Sequence, residues 1–230
     1  MWVDIFLASL WGGFVALDTT ALLQIMISRP IVACSVAGII LGNFPLGFLM
    51  GILLELLYIS ELPVGAAKFA ESNVGSTAAA TIAILITKQF PGRPYMTMAC
   101  ALALTVFVSS VGGRLVLLRR YLNGRLYEKL VYKEKLSAWH INLAQLYGIV
   151  MAFLLGFVAL FSMSAIFVHV LPWILKYVPE KYDKIFQPAM GSVLAVGCLF
   201  LVQHFWRQNQ KKWLFFVGLG LSAFFLIKFL

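Results

Sequence analysis

The chain has 230 residues, of which 62% are hydrophobic and 12% charged, with a formal net charge of +9 and a mean hydropathy of +0.93. So little polar material cannot cover a soluble globule, and the composition reads as an all-α, polytopic integral membrane protein in a single membrane-embedded domain, residues 1–230. The basic residues gather in short segments between apolar runs, which fits membrane topology and excludes nucleic acid as the partner that explains the charge.

In chain order, the first apolar run covers residues 5–17. It follows Asp4 where a signal peptide would carry Lys or Arg, so it is expected to stay in the mature protein. Asp18 closes it. Residues 31–59 are apolar but interrupted: Gly38, Gly42, Gly47 and Gly51, with Ala33, Ser35 and Ala37, let backbones approach closely. Asn43-Phe44-Pro45 is a local stop, because proline lacks a backbone donor and disfavours helix in the residue before it. Two packed half-helices or a hairpin are expected there. Glu55 and Glu61 follow, and then a stretch holding Pro63, Gly65, Glu71, Ser72, Asn73 and Gly75 runs into a shorter apolar run at residues 74–86. Non-helical backbone at membrane depth is tolerated only when it is buried in protein or lines a wet cavity, so the first third of the chain reads as interrupted or re-entrant helices.

Uncharged runs at residues 95–113, 141–175 and 186–206 are each long enough to cross a hydrocarbon core of ~30 Å. The run at 141–175 exceeds what a crossing needs and is expected to tilt, bend near Gly156 or continue outside the lipid. Residues 114–135 hold seven Lys/Arg against two acids, and residues 207–212 hold three with none. Both therefore read as cytoplasmic, the first within a basic loop over residues 114–137, while the nearly balanced residues 176–184 read as external. A last, broken apolar run lies at residues 213–227.

Ordinary reactive sites are poorly represented. Cys34, Cys100 and Cys198 stand singly among apolar residues, as do His140, His169 and His204, and no nucleotide-binding, zinc-protease or nucleophile-elbow motif is present. No catalytic residue, metal or cofactor is expected, and any chemistry would come from a partner. The acids are the exception, since an ionised carboxylate at bilayer depth costs at least ~2.5 to 3.5 kcal/mol and persists only against protein, water or substrate. Asp18 and Glu55 carry the most weight on this ground, Glu55 reading either as a helix–helix hydrogen bond or as part of a polar pocket. Glu61 reads as weaker than Glu55, because it precedes Pro63 and marks the end of a helix near water.

The residues from 17 to 81 resemble the IIC subunits of the mannose/fructose/sorbose family of sugar phosphotransferase systems. The likeness is carried by Asp18, by Gln24-Ile25-Met26-Ile27-Ser28-Arg29-Pro30, by the small-residue run ending Ile39-Ile40-Leu41-Gly42-Asn43, by Gly51 and Glu55 and by Val64-Gly65-Ala66-Ala67. Weaker likenesses follow at Trp139-His140, Pro188, Gly191 and Gly197. The resemblance implies a helical subunit of the bacterial inner membrane that pairs with a IID membrane subunit in a hetero-oligomer, takes a hexose-like sugar from outside and delivers it to cytoplasmic IIA and IIB phosphocarrier proteins, which phosphorylate it. It also implies an elevator-like movement of re-entrant hairpins. Hydroxyl-rich ligands need carboxylate and amide groups in a small cavity, and Asp18, Gln24, Glu55, Glu71 and Asn73 are the candidates, with Tyr58 or a nearby Phe to stack on the ring. Arg29-Pro30 reads as structural: proline suits a first helical turn and arginine anchors the interface or pairs with an acid. The sequence departs from the family at Pro63, where many members carry Asn, and at Ala70-Glu71, where Pro-Asp is common. Those departures keep a second reading open, a transport-inactive sensor or assembly subunit on the same scaffold.

Overall fold

A computed structural model describes residues 1–22, 24–59, 71–131, 137–207, 213, 216 and 217. Among them the regular elements are all helical: α1 (Trp2–Thr20), α2 (Pro30–Ile40), α3 (Phe44–Leu57), α4 (Ser72–Gln89), α5 (Pro94–Val131), α6 (Ala138–Tyr177), a 3-10 helix (Glu180–Phe186) and α7 (Gln187–Arg207). Glu61, Pro63 and Val64-Gly65-Ala66-Ala67 lie outside the described residues, as does most of the basic segment at 207–212.

The expected hairpin is α2 and α3. Gly42 closes α2 with φ of 71°, a left-handed conformation that glycine enters without a Cβ penalty. The Asn43 N–H donates to Gly38 O at 2.8 Å and the Gly42 N–H to Ile39 O at 3.1 Å, the paired bonds of a Schellman ending. Asn43 then starts the next helix, its side chain accepting from Leu46 N at 3.2 Å, with Pro45 in the first turn. The returning helix lies against the first: a Cβ on Gly47 would fall 2.6 Å from Cys34 O and 2.7 Å from Gly38 Cα, so only glycine fits this approach. At 11 and 14 residues the two helices rise about 16 and 21 Å, each short of a ~30 Å core.

The centre of the molecule is α4. Every residue from 74 to 86 is buried, and α4 touches α1, α2, α3, α5 and α6. Its sequence, Ser-Asn-Val-Gly-Ser-Thr-Ala-Ala-Ala-Thr, is too polar to face lipid but small enough to be packed on all sides, and Thr77 and Thr81 satisfy their hydroxyls on the carbonyls four residues back at 2.9 and 2.8 Å. Around it, α1 runs antiparallel to α6: Trp2 lies beside His169, Phe6 meets Phe157, and Phe14 meets Phe153. A Cβ on Gly12 would strike Leu160, and one on Gly156 would strike Ala16, so Gly156 serves helix contact here.

Among the described residues three helices are long and apolar enough to cross a membrane, over Trp2–Thr19, Pro94–Lys129 and Ala138–Tyr177. The first apolar run, residues 5–17, extends into α1, and the uncharged run at residues 186–206 forms the 21-residue α7. The basic loop expected at residues 114–137 is corrected, because α5 continues without a break to Val131. Leu, Arg, Lys and Glu are good helix formers, so the charge after Gly113 marks the end of the apolar stretch and not the end of the helix. On the opposite end the nearly balanced segment carries the 3-10 helix. There the Asp183 carboxylate accepts from Met96 N at 2.8 Å, satisfying an orphan donor of the first turn of α5. Arg93 donates to Leu175 O and lies 3.8 Å from Glu180, tying the start of α5 to the end of α6.

Candidate functional site

Four helices bring their ends or middles together around the last turn of α1. Asp18 is 3% exposed and spends both oxygens on the loop that follows it: Oδ1 accepts from Ile25 N at 2.7 Å and Oδ2 from Ser28 N at 2.9 Å. Gln24 and Met26 in that loop have φ of 52° and 68°, a region that costs a non-glycine residue about 1–2 kcal/mol. Such strain persists where the surroundings over-determine it, and the two bonds to Asp18 flanking Met26 do so. Gln24 itself is exposed.

Glu55 is tied from the other side of the hairpin. Its Oε1 pairs with the Arg29 guanidinium and its Oε2 accepts from Ile31 N at 3.3 Å. Ile31 is the second residue of α2, so this carboxylate neutralises an orphan donor at the positive end of a helix whose first residue is Pro30. These contacts join the two helices of the hairpin, and Arg29 pairs with an acid, one of the two roles read for it in the sequence.

Glu71 stands differently. It precedes α4, its N–H donates to Ser109 O of α5 at 2.9 Å, and its carbonyl accepts from Gly75 N at 3.1 Å. The side chain makes no capping bond. The residue is 6% exposed, and Oε2 is buried with no hydrogen-bond partner among the described residues. It lines a cleft of about 350 Å³, open mouth included, between α1, α4, α5 and α6, whose other walls include Ala16, Gly112, Arg119, Ala152 and Gly156. A Cβ on Gly112 would come 2.7 Å from Glu71 Cβ, so that glycine makes the room for the glutamate.

Asn73, the second residue of α4, donates through Nδ2 to Thr19 Oγ1 at 3.3 Å. Tyr58, just past α3, shares a hydrogen bond of 3.2 Å with Ser109 Oγ. The structure thus brings Glu71, Asn73, Thr19, Ser109 and Tyr58 into one polar region, and leaves Asp18 bonded to the loop after α1, Gln24 on that loop and Glu55 in the hairpin. Thr19, Ser109 and Arg119 were not singled out in the sequence. The hydroxyls of Ser109-Ser110 inside an uncharged run were the available signal. Among the described residues no group of three His, Cys, Asp or Glu approaches closely enough to hold a metal. Cys34 is buried, Cys100 half-buried and Cys198 exposed.

The comparisons with known proteins bear on the whole chain. In solved structures, a membrane protein of 18% identity superposes with a TM-score of 0.71 over 97% of this chain and 86% of that one. The mannose transporter ManYZ, solved with microcin E492, superposes at 0.52 with 19% identity over 97% and 86%. Both are likenesses of fold. Among curated proteins, the sorbose-specific EIIC component of Lacticaseibacillus casei is 32% identical over 38% of this chain and 31% of its own length. The fructose permease IIC component of Bacillus subtilis is 26% identical over 85% of this chain and 70% of its own length. The aligned region therefore spans about a third of the sorbose relative and more of the fructose one. The family described as the PTS system sorbose-specific IIC component matches residues 2–230, and the chain belongs to that family.

Proposed function

We propose that this chain is the sugar-translocating IIC component of a phosphoenolpyruvate-dependent phosphotransferase system of the mannose/fructose/sorbose type, and that its sugar is read by Glu71 and Asn73. The observation that carries the site is the Glu71 carboxylate oxygen, buried without a hydrogen-bond partner among the described residues in a cleft at the α4 N-terminus. A buried acceptor left unmade is costly, of order 1–3 kcal/mol, and a sugar hydroxyl is a donor of the right kind. Asp18 and Glu55 act one step back, holding the loop and hairpin in shape. Gln24 presents its amide from the strained loop that Asp18 grips.

The family match and the sugar names of the relatives support a hexose-like substrate. In this reading the chain is a permease subunit of the bacterial inner membrane and not an enzyme. It works in a hetero-oligomer with a IID membrane subunit, and a separate IIB protein, charged by IIA, phosphorylates the sugar. The two-part name of the mannose transporter of similar fold is in keeping with a second membrane subunit. The test is co-expression with a candidate IID subunit, purification of the complex and a calorimetric screen of hexoses. Saturable binding of at least one sugar is expected. A complex that assembles but binds none of them would favour the sensor or assembly reading.

A further inference from the structure

The uncharged residues 95–113 of α5 rise about 28 Å, which fills a hydrocarbon core of ~30 Å. The helix nevertheless continues to Val131. On this continuation Arg114, Leu118, Tyr121, Arg125 and Lys129 fall at intervals of four, three, four and four residues, which places them on one helical face. All five are exposed. Leu118 and Tyr121 are 46% and 55% exposed, and the Arg125 guanidinium sits 4.8 Å from the centre of the Tyr121 ring. Leu117 borders the same face, and it too is exposed. Residues 114–131 hold five Lys/Arg against the single acid Glu128.

Two properties of this face must be met by one occupant. Leu117 and Leu118, next to the first cation, need apolar material beyond the point at which the uncharged run ends. Arg114, Arg125 and Lys129 need negative charge on either side of that apolar patch. An acidic protein surface meets the second need and leaves the leucines in water. A phospholipid with an anionic headgroup meets both, because its acyl chains cover the leucines while long basic side chains reach up to its phosphate. Tyr121, with an apolar ring and a polar tip, belongs at the same level.

We propose that this face of α5 binds anionic phospholipid, with the lipid phosphate and headgroup charge between Arg114 and the Arg125/Lys129 pair and the acyl chains against Leu117 and Leu118. The site is separate from the cleft at Glu71 and does not depend on which sugar is carried. It fixes how deeply α5 sits and keeps the rim of the bundle in an anionic leaflet.

The experiment uses the full chain, in the complex in which it purifies, reconstituted in phosphatidylcholine vesicles that carry a trace of spin-labelled phosphatidylglycerol or spin-labelled phosphatidylcholine. Each cation near an anionic surface strengthens association about fivefold. The phosphatidylglycerol label should therefore be immobilised at least about fivefold more strongly than the phosphatidylcholine label, and the preference should shrink as salt is raised. The triple variant Arg114→Gln/Arg125→Gln/Lys129→Gln should bring the ratio close to unity, while Arg114→Lys/Arg125→Lys should keep most of it. All these side chains are exposed, so a melting curve matching wild type is expected and confirms that the fold is intact. Equal immobilisation of both labels by the wild-type chain would overturn the proposal. So would a triple variant that keeps the full lipid preference, including one that instead loses a soluble acidic protein.

Discussion

Replacing Asp18 tests whether that carboxylate is scaffold or ligand. Its two acceptor bonds, 2.7 Å to Ile25 N and 2.9 Å to Ser28 N, are not of equal weight. Ile25 is 62% exposed, so its N–H can return to water, whereas Ser28 is 7% exposed and its N–H cannot. A hydrogen bond to a charged group is worth about 1.5–3 kcal/mol, and a buried donor left without a partner loses most of that. Asp18→Ala should therefore destabilise the fold by about 2–3 kcal/mol, a fall of roughly 4–12 °C in melting temperature for a chain of this size. Asp18→Asn is not a gentle substitution here. Its amide NH2 must face one of the two N–H donors, so it should lose nearly as much. The assay is thermal unfolding of the purified complex followed by tryptophan fluorescence, with limited proteolysis of the loop after α1 as a second readout. Faster cleavage and a lower melting temperature are expected in both variants. If Asp18→Asn melts like wild type while sugar binding disappears, the carboxylate contacts the sugar and the scaffold argument is wrong.

Other outcomes follow from the packing and charge. Gly47→Ala puts a methyl 2.6 Å from Cys34 O and 2.7 Å from Gly38 Cα, so the hairpin should lose about 1–3 kcal/mol, read as a lower melting temperature of the complex. A double-mutant cycle with Arg29→Gln and Glu55→Gln should give a coupling energy of at most about 1 kcal/mol, because the arginine side chain is 47% exposed. A coupling near zero would show that Glu55 is held by Ile31 N alone. Single cysteines at Lys129 and Lys181, in a background with Cys34, Cys100 and Cys198 replaced, should be labelled by impermeant reagents from the cytoplasmic and external sides respectively. The reverse pattern would invert the orientation read from the charges.

Composition and local chemistry made the helical membrane class legible, and Asn43-Phe44-Pro45 with its flanking glycines made the α2–α3 hairpin legible, because each of those signals acts within a few residues. The partners of the acids were harder to read. Glu55 meets Arg29 and Ile31 across the hairpin, and Asp18 grips a loop whose two left-handed residues, Gln24 and Met26, are not glycines and so announce nothing in the sequence. Burial of α4 was similarly hidden: its Ser, Thr and Ala content looks like a weak span, and only the closure of five helices around it shows that small polar residues are what a fully enclosed helix needs. The break expected after Gly113 failed for the opposite reason, since charge ends lipid contact without ending a helix. Among the five candidate site residues, Glu71 keeps a buried oxygen without a hydrogen-bond partner among the described residues, and it stands where the sequence departs from the common Pro-Asp pattern.

The measurement that tests the site most directly is the affinity for sugar of the chain in its proposed complex with a IID subunit, by calorimetry, in Glu71→Gln and Glu55→Gln, with melting temperature as the control for folding. A charge-assisted hydrogen bond is worth about 1.5–3 kcal/mol, so Glu71→Gln should weaken binding on the order of 10- to 100-fold at nearly unchanged stability. Glu55→Gln should lower stability and leave affinity within a few-fold. Normal affinity in Glu71→Gln together with its loss in Glu55→Gln would contradict this assignment and place the sugar at the Arg29–Glu55 junction instead.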